Sequence, residues 1–322
     1  MSSVRHFLAD DDLSVAEQAE VLALAAMLKT DPYAEQPYRG PRSVAVLFDK
    51  PTLRTQTSFA AGIAELGGYP MIVDARLAGI GVRESVADTA RVLGRQAAAI
   101  VWRTFAQADL EQMADYAGVP VVNALTDAFH PCQILADLLT ITEHKAPGNG
   151  GRIAGLTLAY VGDGANNMAT SYLIGGALAG LHVRIGAPAA FSPSAQVLAR
   201  AGKIAAATGG SVSVSDDVSA VVAGADVVAT DTWVSMGQEA EMAERVAIFA
   251  PYGLTTSLLA QAAPDAIVLH CLPAYRGKEI EAAVLDGPQA VVWDEAENRR
   301  HVQKAVLVLL DAWSAGTAGV RT

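Results

Sequence analysis

Short, uninterrupted apolar runs recur along this chain, and most of them stop abruptly on a polar or charged side chain. The clearest is Ala266-Ile267-Val268-Leu269, which runs directly into His270-Cys271-Leu272-Pro273. A strand that is apolar on both faces must be covered on both faces, so such runs read as parallel strands sandwiched between helices. Pro273 cannot donate to a sheet ladder, so the strand ends there and leaves backbone carbonyls free. A histidine and a thiol therefore emerge at the carboxyl end of a buried strand, where open α/β sheets bind their ligands.

The same alternation holds along the whole length. Ser14-Val15-Ala16-Glu17 is a capping box that opens a helix to about Lys29. Strands at 43–48, 71–74, 98–102 and 120–125 then alternate with helices at 54–66, 84–93 and 110–116. Pro131, suited to a first helical turn, starts a helix that reaches about Lys145. After the linker Ala146-Pro147-Gly148-Asn149-Gly150-Gly151, strands near 156–161, 182–187, 226–230, 267–270 and 291–293 resume the pattern, and a closing helix covers about 296–312. With 322 residues the chain is too long for one small core. Apolar residues make up 52% but aromatics only 6%, so the core is built from Ala, Val, Leu and Ile, which suits alternating strands and helices rather than a β-sandwich. The expected fold is α/β: two doubly wound domains, each a parallel sheet flanked by helices, covering 1–146 and 152–296.

A net charge of −11 argues against nucleic acid or an anionic membrane as a partner. Any phosphate ligand must be drawn by local arginines and helix ends. No apolar run reaches the roughly 20 residues needed to span a bilayer, and the acidic N-terminus has no signal-peptide core, so a cytoplasmic protein is expected. Cys132 and Cys271 fit no metal or redox spacing and are expected to be free thiols, with no metal site.

Two groups of strand ends carry chemistry. In the first half, Phe48-Asp49-Lys50-Pro51-Thr52-Leu53-Arg54-Thr55 joins a strand to its helix. Unpaired N–H groups at a helix N-terminus form an anion site, to which Thr52 and Thr55 add hydroxyls and Arg54 a planar fork. Arg103 ends a second strand, and His130-Pro131-Cys132-Gln133 follows a third. That set suits a phosphate with a carbonyl beside it, whose developing oxyanion Arg103 and His130 would stabilise. In the second half, Asp163-Gly164-Ala165-Asn166-Asn167 lacks the G-x-G-x-x-G of a dinucleotide turn. Asn167, or less favourably Asn166, suits a carboxylate and an amine. Asp231 and Ser235, in the loop from Asp231 to Gly237, offer an anchor for an ammonium group. Glu297-Asn298-Arg299 puts a further arginine at the start of the closing helix.

Taken together, the Arg54 loop and the segments 130–133, 231–237, 270–273 and 297–299 resemble the aspartate/ornithine carbamoyltransferase superfamily over nearly the whole chain. The pairing of Asp-x-x-x-Ser-Met-Gly with His-Cys-Leu-Pro points to its ornithine branch. The resemblance implies transfer of the carbamoyl group of carbamoyl phosphate to the δ-amine of L-ornithine, giving L-citrulline and phosphate in arginine metabolism, with no cofactor. It also implies a closing helix, about 297–322, that packs back on the first domain. The implied assembly is a homotrimer, or a larger assembly of trimers, with active sites at subunit interfaces. Thr52, Arg54 and Thr55 would bind the phosphate, and Arg103, Thr55 and His130 the carbonyl oxygen. Gln133 and the Leu272 carbonyl would orient the carbamoyl NH2. Asn167, Asp231, Ser235 and Met236 would hold ornithine, with Cys271 and Asp231 near its δ-amine and Arg299 near the carbonyl.

The phosphate half departs from the family pattern. Where Ser-Thr-Arg-Thr-Arg is usual, this chain reads Thr52-Leu53-Arg54-Thr55-Gln56, losing a hydroxyl at Leu53 and a charge at Gln56. Gly79 stands where a glutamine contributed across the interface is expected. Leu53 and Gly79 remain among the expected carbamoyl-phosphate positions, with weaker binding or a contact rewired through Arg76 or Arg83. Two other readings are a carbamoyltransferase for another amine, such as putrescine or a modified ornithine, and a non-catalytic paralogue that binds ornithine.

Overall fold

The protein is described by a computed structural model covering residues 4–50, 52–147, 151–234 and 242–316. It divides into two compact units, Met1–Ala136 with Glu297–Thr322, and Asp137–Ala296. The division falls inside the helix Pro131–Lys145, upstream of the glycine-rich stretch read as a linker, of which 148–150 lie outside the described residues.

In the first unit, β1 (Ser43–Phe48), β2 (Tyr69–Asp74), β3 (Ala99–Arg103) and β4 (Val121–Leu125) form a parallel sheet in the order β2-β1-β3-β4. The continuous apolar runs behave as expected: β3 and β4 are buried throughout, and β1 beyond its first residue. The edge strand β2 is only partly covered. Ala45, Leu47, Ile100, Trp102 and Val121 share one core with Ala90, Leu110 and Met113 of the flanking helices Val86–Leu93 and Gln107–Ala117. Strands are added on one side of β1 and then, from β3, on the other, and at such a switch point the strand ends open a crevice. The loop before helix Arg54–Glu65 and the end of β3 both lie there.

The closing helix runs Val292–Ser314, several residues longer than its sequence pattern indicated. Its part beyond Glu297 belongs to the first unit. The Tyr38 hydroxyl donates to the Leu307 carbonyl at 3.2 Å. Lys304 is fully buried, and its three ammonium protons are directed to the Leu28 and Pro32 carbonyls and, at 2.6 Å, the Glu65 carboxylate. A side chain at Gly62 would start 3.0 Å from the Lys304 stem, so this helix pair packs best with glycine there.

In the second unit, β5 (Thr157–Val161), β6 (His182–Gly186), β7 (Ser211–Ser215), β8 (Val227–Thr230) and β9 (Ile267–His270) form a parallel sheet ordered β7-β6-β5-β8-β9. Its switch point lies between β5 and β8, beside Asp163 and Asp231. Two elements differ from the sequence reading. β7, Ser-Val-Ser-Val-Ser, alternates with period two rather than running apolar, because it is an edge strand. The strand expected at 291–293 does not form: β9 meets only an isolated bridge at Ala290, and Val292 already begins the closing helix. Asp294 and Glu295 in that first turn favour the helix by facing its partial positive charge. No helix among the described residues is long and apolar enough to cross a membrane.

Candidate active site

Helix Arg54–Glu65 begins without a side-chain cap: Leu53 precedes it and is 70% exposed. Its first-turn N–H groups therefore lack the usual capping oxygen. Thr55 is fully buried, and its hydroxyl accepts from the Arg103 guanidinium at 3.2 Å and the Arg299 guanidinium at 2.9 Å. Both arginines are themselves buried. Two guanidinium groups on one hydroxyl give this strand end a locally positive field within an acidic protein, an arrangement chemically suited to an anion. His130 joins it. Burial, then Arg299, Arg103, Arg54 and Lys50, hold its imidazole well below the usual histidine range. A neutral ring donates one N–H to an oxyanion without adding another buried charge. Gln133 is buried in the first turn of helix Pro131–Lys145, which His130 precedes, its N–H donating to the His130 carbonyl at 2.9 Å. Cys132 donates to the Asn123 carbonyl, and burial pushes its thiol up to about 12, so it is a core residue.

Thr52, with Lys50, Gln56, Ile72, Asp74 and Arg76, lines a pocket of about 150 Å³. Arg76 thus shares a pocket with Gln56, where the sequence pattern lacks a charge, whereas the stem of Arg83 packs against Gly79. Gly79 itself is buried in a left-handed turn, φ +69°, that caps helix Ala75–Ala78. Its N–H donates to Ala75 and Arg76, and its carbonyl accepts from Val82 and Arg83, so its polar atoms are taken by its own turn. Lys50 was missed by sequence reasoning. It is buried, bonds Asp127 at 2.6 Å and lies 4.2 Å over the Phe105 ring. Only the fold brings those partners together.

In the second unit, Asn166 caps helix Asn167–Ser171. Its oxygen accepts from the Ala169 N–H at 2.8 Å, and its amide donates to the Tyr160 hydroxyl at 2.9 Å. Both ends of Asn166 are thus committed to the helix start, and Asn167 follows half-buried at the first helical position. Asn166→Ala is expected to cost about 1 kcal/mol of stability, read as a lowered unfolding midpoint.

Asp231 follows β8 and is buried. Its Oδ1 accepts from the Thr232 N–H at 2.7 Å and the Cys271 thiol at 3.2 Å. Burial raises its carboxyl, opposed by His270, the thiol and the Thr232 N–H. Burial, then the charges of Asp231 and Glu295, push Cys271 well above the ordinary thiol range. Cys271 is therefore a neutral donor that orients Asp231 rather than a nucleophile. Ligand-type atoms of Asp231, His270 and Cys271 lie within 4.8 Å of one another. The imidazole is already engaged, however, with Nδ1 accepting from Leu272 and Nε2 beside Glu279. Ser235 and Met236 lie outside the described residues.

Arg245 went unnoticed in the sequence. It is buried, pairs with Asp163 and donates to the Trp233 carbonyl at 2.6 Å, so it ties the loop after β8 to the loop after β5. It packs against the Phe191 and Phe249 rings. An arginine inside a short helix carries no local sign of such a role.

Comparison with known proteins shows the family. Residues 5–143 match the family profile "Aspartate/ornithine carbamoyltransferase, carbamoyl-P binding domain", and 154–310 match "Aspartate/ornithine carbamoyltransferase, Asp/Orn binding domain". The ornithine carbamoyltransferase of Clavibacter sepedonicus is 61% identical over 95% of this chain and 98% of its own length. The crystal structure of ornithine carbamoyltransferase from Gloeobacter violaceus is 43% identical with a TM-score of 0.85, covering 96% of this chain and 99% of that one. An N-acetyl-L-ornithine transcarbamylase structure is more distant at 30% identity, with a TM-score of 0.85 over 95% and 100% of the two chains.

Proposed function

The chain belongs to the aspartate/ornithine carbamoyltransferase family, and on that footing we propose that it transfers the carbamoyl group of carbamoyl phosphate to the δ-amine of L-ornithine. The products are L-citrulline and phosphate. The observation that carries this reading is the convergence of Arg103 and Arg299 on the Thr55 hydroxyl, with a neutral His130 among the same cations.

In this reading Thr52, Arg54, Thr55 and the uncapped helix turn bind the phosphate. Arg103, His130 and Arg299 face the carbonyl oxygen, and Gln133 and the Leu272 carbonyl orient the NH2. Asn167, Asp231, Ser235 and Met236 hold ornithine. The attacking nitrogen must be neutral, although a free alkylamine titrates near ~10.4. Asp231 accepts from the amine and is itself kept in place by the Cys271 thiol. The nitrogen adds to the carbonyl carbon, negative charge collects on its oxygen, and the C–O bond to phosphate breaks. The departing phosphate takes the amine proton.

Citrulline formation by purified protein, with both substrates titrated, tests the proposal. Its absence at saturating substrates would favour a non-catalytic paralogue, and faster turnover of putrescine or N-acetylornithine would redirect the amine assignment. We further propose a homotrimer with active sites at subunit interfaces, acting in cytoplasmic arginine metabolism. Exposed apolar side chains on and near the β2 edge support it: Leu53 at 70%, Ile72 at 40%, Leu77 at 81% and Val82 at 90%. Light scattering that reports a monomer at assay concentration would overturn that assembly.

A further inference from the structure

We propose that His270 is a positioning residue for this reaction: its imidazole locks Leu272 in a left-handed backbone conformation and so aims the Leu272 carbonyl. Among the described residues Leu272 is the one non-glycine residue with positive φ, at +58°. L-residues avoid that region because Cβ meets the following carbonyl oxygen, and such outliers persist only when their surroundings over-determine them.

Here the surroundings are explicit. The Leu272 N–H donates to His270 Nδ1 at 2.9 Å. An accepting Nδ1 puts the ring proton on Nε2, which lies 3.3 Å from Glu279 Oε1. Glu279, also buried, accepts from the Tyr275 N–H as well, so it braces the ring and the chain beyond it together. The His270 N–H donates to Glu295 at 2.8 Å, fixing the end of β9. The ring is wholly buried with both nitrogens engaged, which leaves it nothing to offer a substrate. Its effect is indirect. Without the Nδ1 acceptor, Leu272 relaxes toward ordinary backbone angles, and its carbonyl turns away from the direction that the His270 hydrogen bond holds. The adjoining Cys271 thiol loses its register with Asp231 in the same movement.

This inference rests on the proposed carbamoyl transfer, and a pair of near-isosteric variants tests it. Asparagine carries an acceptor where Nδ1 sits, whereas glutamine places its amide where Nε2 sits. In the citrulline assay, His270→Gln is expected to lower kcat by about 10- to 100-fold, the factor carried by one lost buried hydrogen bond, with ornithine KM little changed. His270→Asn retains most of the turnover, and the two proteins have similar unfolding midpoints. A merely structural role would make activity follow stability in both. Leu272→Gly supplies the second handle, since glycine adopts positive φ without strain. In that background the gap between Gln and Asn narrows, and a double variant of His270→Gln with Leu272→Gly turns over even if the single glutamine variant fails to fold. Equal kcat in the two His270 variants, an undiminished gap in the glycine background, or an inactive double variant overturns the inference while wild-type activity stands. A wild-type protein that makes no citrulline overturns the proposed function, and this inference with it.

Discussion

Arg54→Ala is expected to lower citrulline formation by about 100- to 1000-fold, the usual cost of removing one donor aimed at transition-state charge. Arg54 opens a helix with no side-chain cap, so in the proposed binding mode its fork and the first-turn N–H groups act on the same anion. The loss should appear in kcat and in kcat/KM for carbamoyl phosphate, because the leaving phosphate carries more charge in the transition state than in the ground state. Removing Arg54 also takes away one of the cations that depress His130. Burial is the larger cause, however, so the imidazole stays neutral and the defect belongs to the phosphate. Arg54→Lys should recover only part of the activity, since an ammonium is a point charge without the bidentate fork. Steady-state kinetics matching wild type in the alanine variant would remove the phosphate assignment of this cradle.

The second large effect belongs to Asp231. Asp231→Ala is expected to lower kcat/KM for ornithine by about 100-fold or more, because it leaves ornithine's α-ammonium without its buried counter-charge as well as removing the acceptor for the neutral δ-amine. It also strips acceptors from the Thr232 N–H and the Cys271 thiol. Asp231→Asn separates these contributions. Its amide oxygen still accepts from both donors, so the residual defect reports the lost charge alone, about 10- to 100-fold for a hydrogen bond to a charged group. Calorimetry should find carbamoyl phosphate binding to the first unit's cradle unchanged in both variants. Ornithine kinetics indistinguishable from wild type in Asp231→Ala would move the amine site elsewhere.

How much of this was legible beforehand depended on whether the signal was local. Continuous apolar runs marked β1, β3, β4, β5, β8 and β9, because burial on both faces leaves no room for polar alternation. β7 escaped notice because an edge strand alternates, and five residues of Ser and Val read equally well as a loop. Residues 291–293 looked like a strand because they are apolar, yet the acidic first turn that follows makes them the start of a helix. The partner-dependent roles were invisible. Asn166 and Asn167 are chemically identical neighbours, and only the cap geometry separates them. The tie from Arg245 to Asp163 spans 82 positions, and the brace from His270 to Glu279 needs a turn that returns the chain upon itself.

The amino-acid order alone determined most units of construction: the buried strands, the helices of the first half, and the arginines, histidines, carboxylates and thiols that sit at the strand ends. Those follow from short-range rules of burial, chain stiffness and backbone donor supply. The order of the strands was decided only in the tertiary structure, and with it which ends became neighbours. β3 lies against β1 while β2 takes the other side, so the end of β3 delivers Arg103 to the helix that carries Thr55. The closing helix then brings Arg299 to the same hydroxyl from 244 positions away. The physical reason is that sheet order is set by packing helices over whole apolar faces, an energy summed over many distant residues that no single segment encodes.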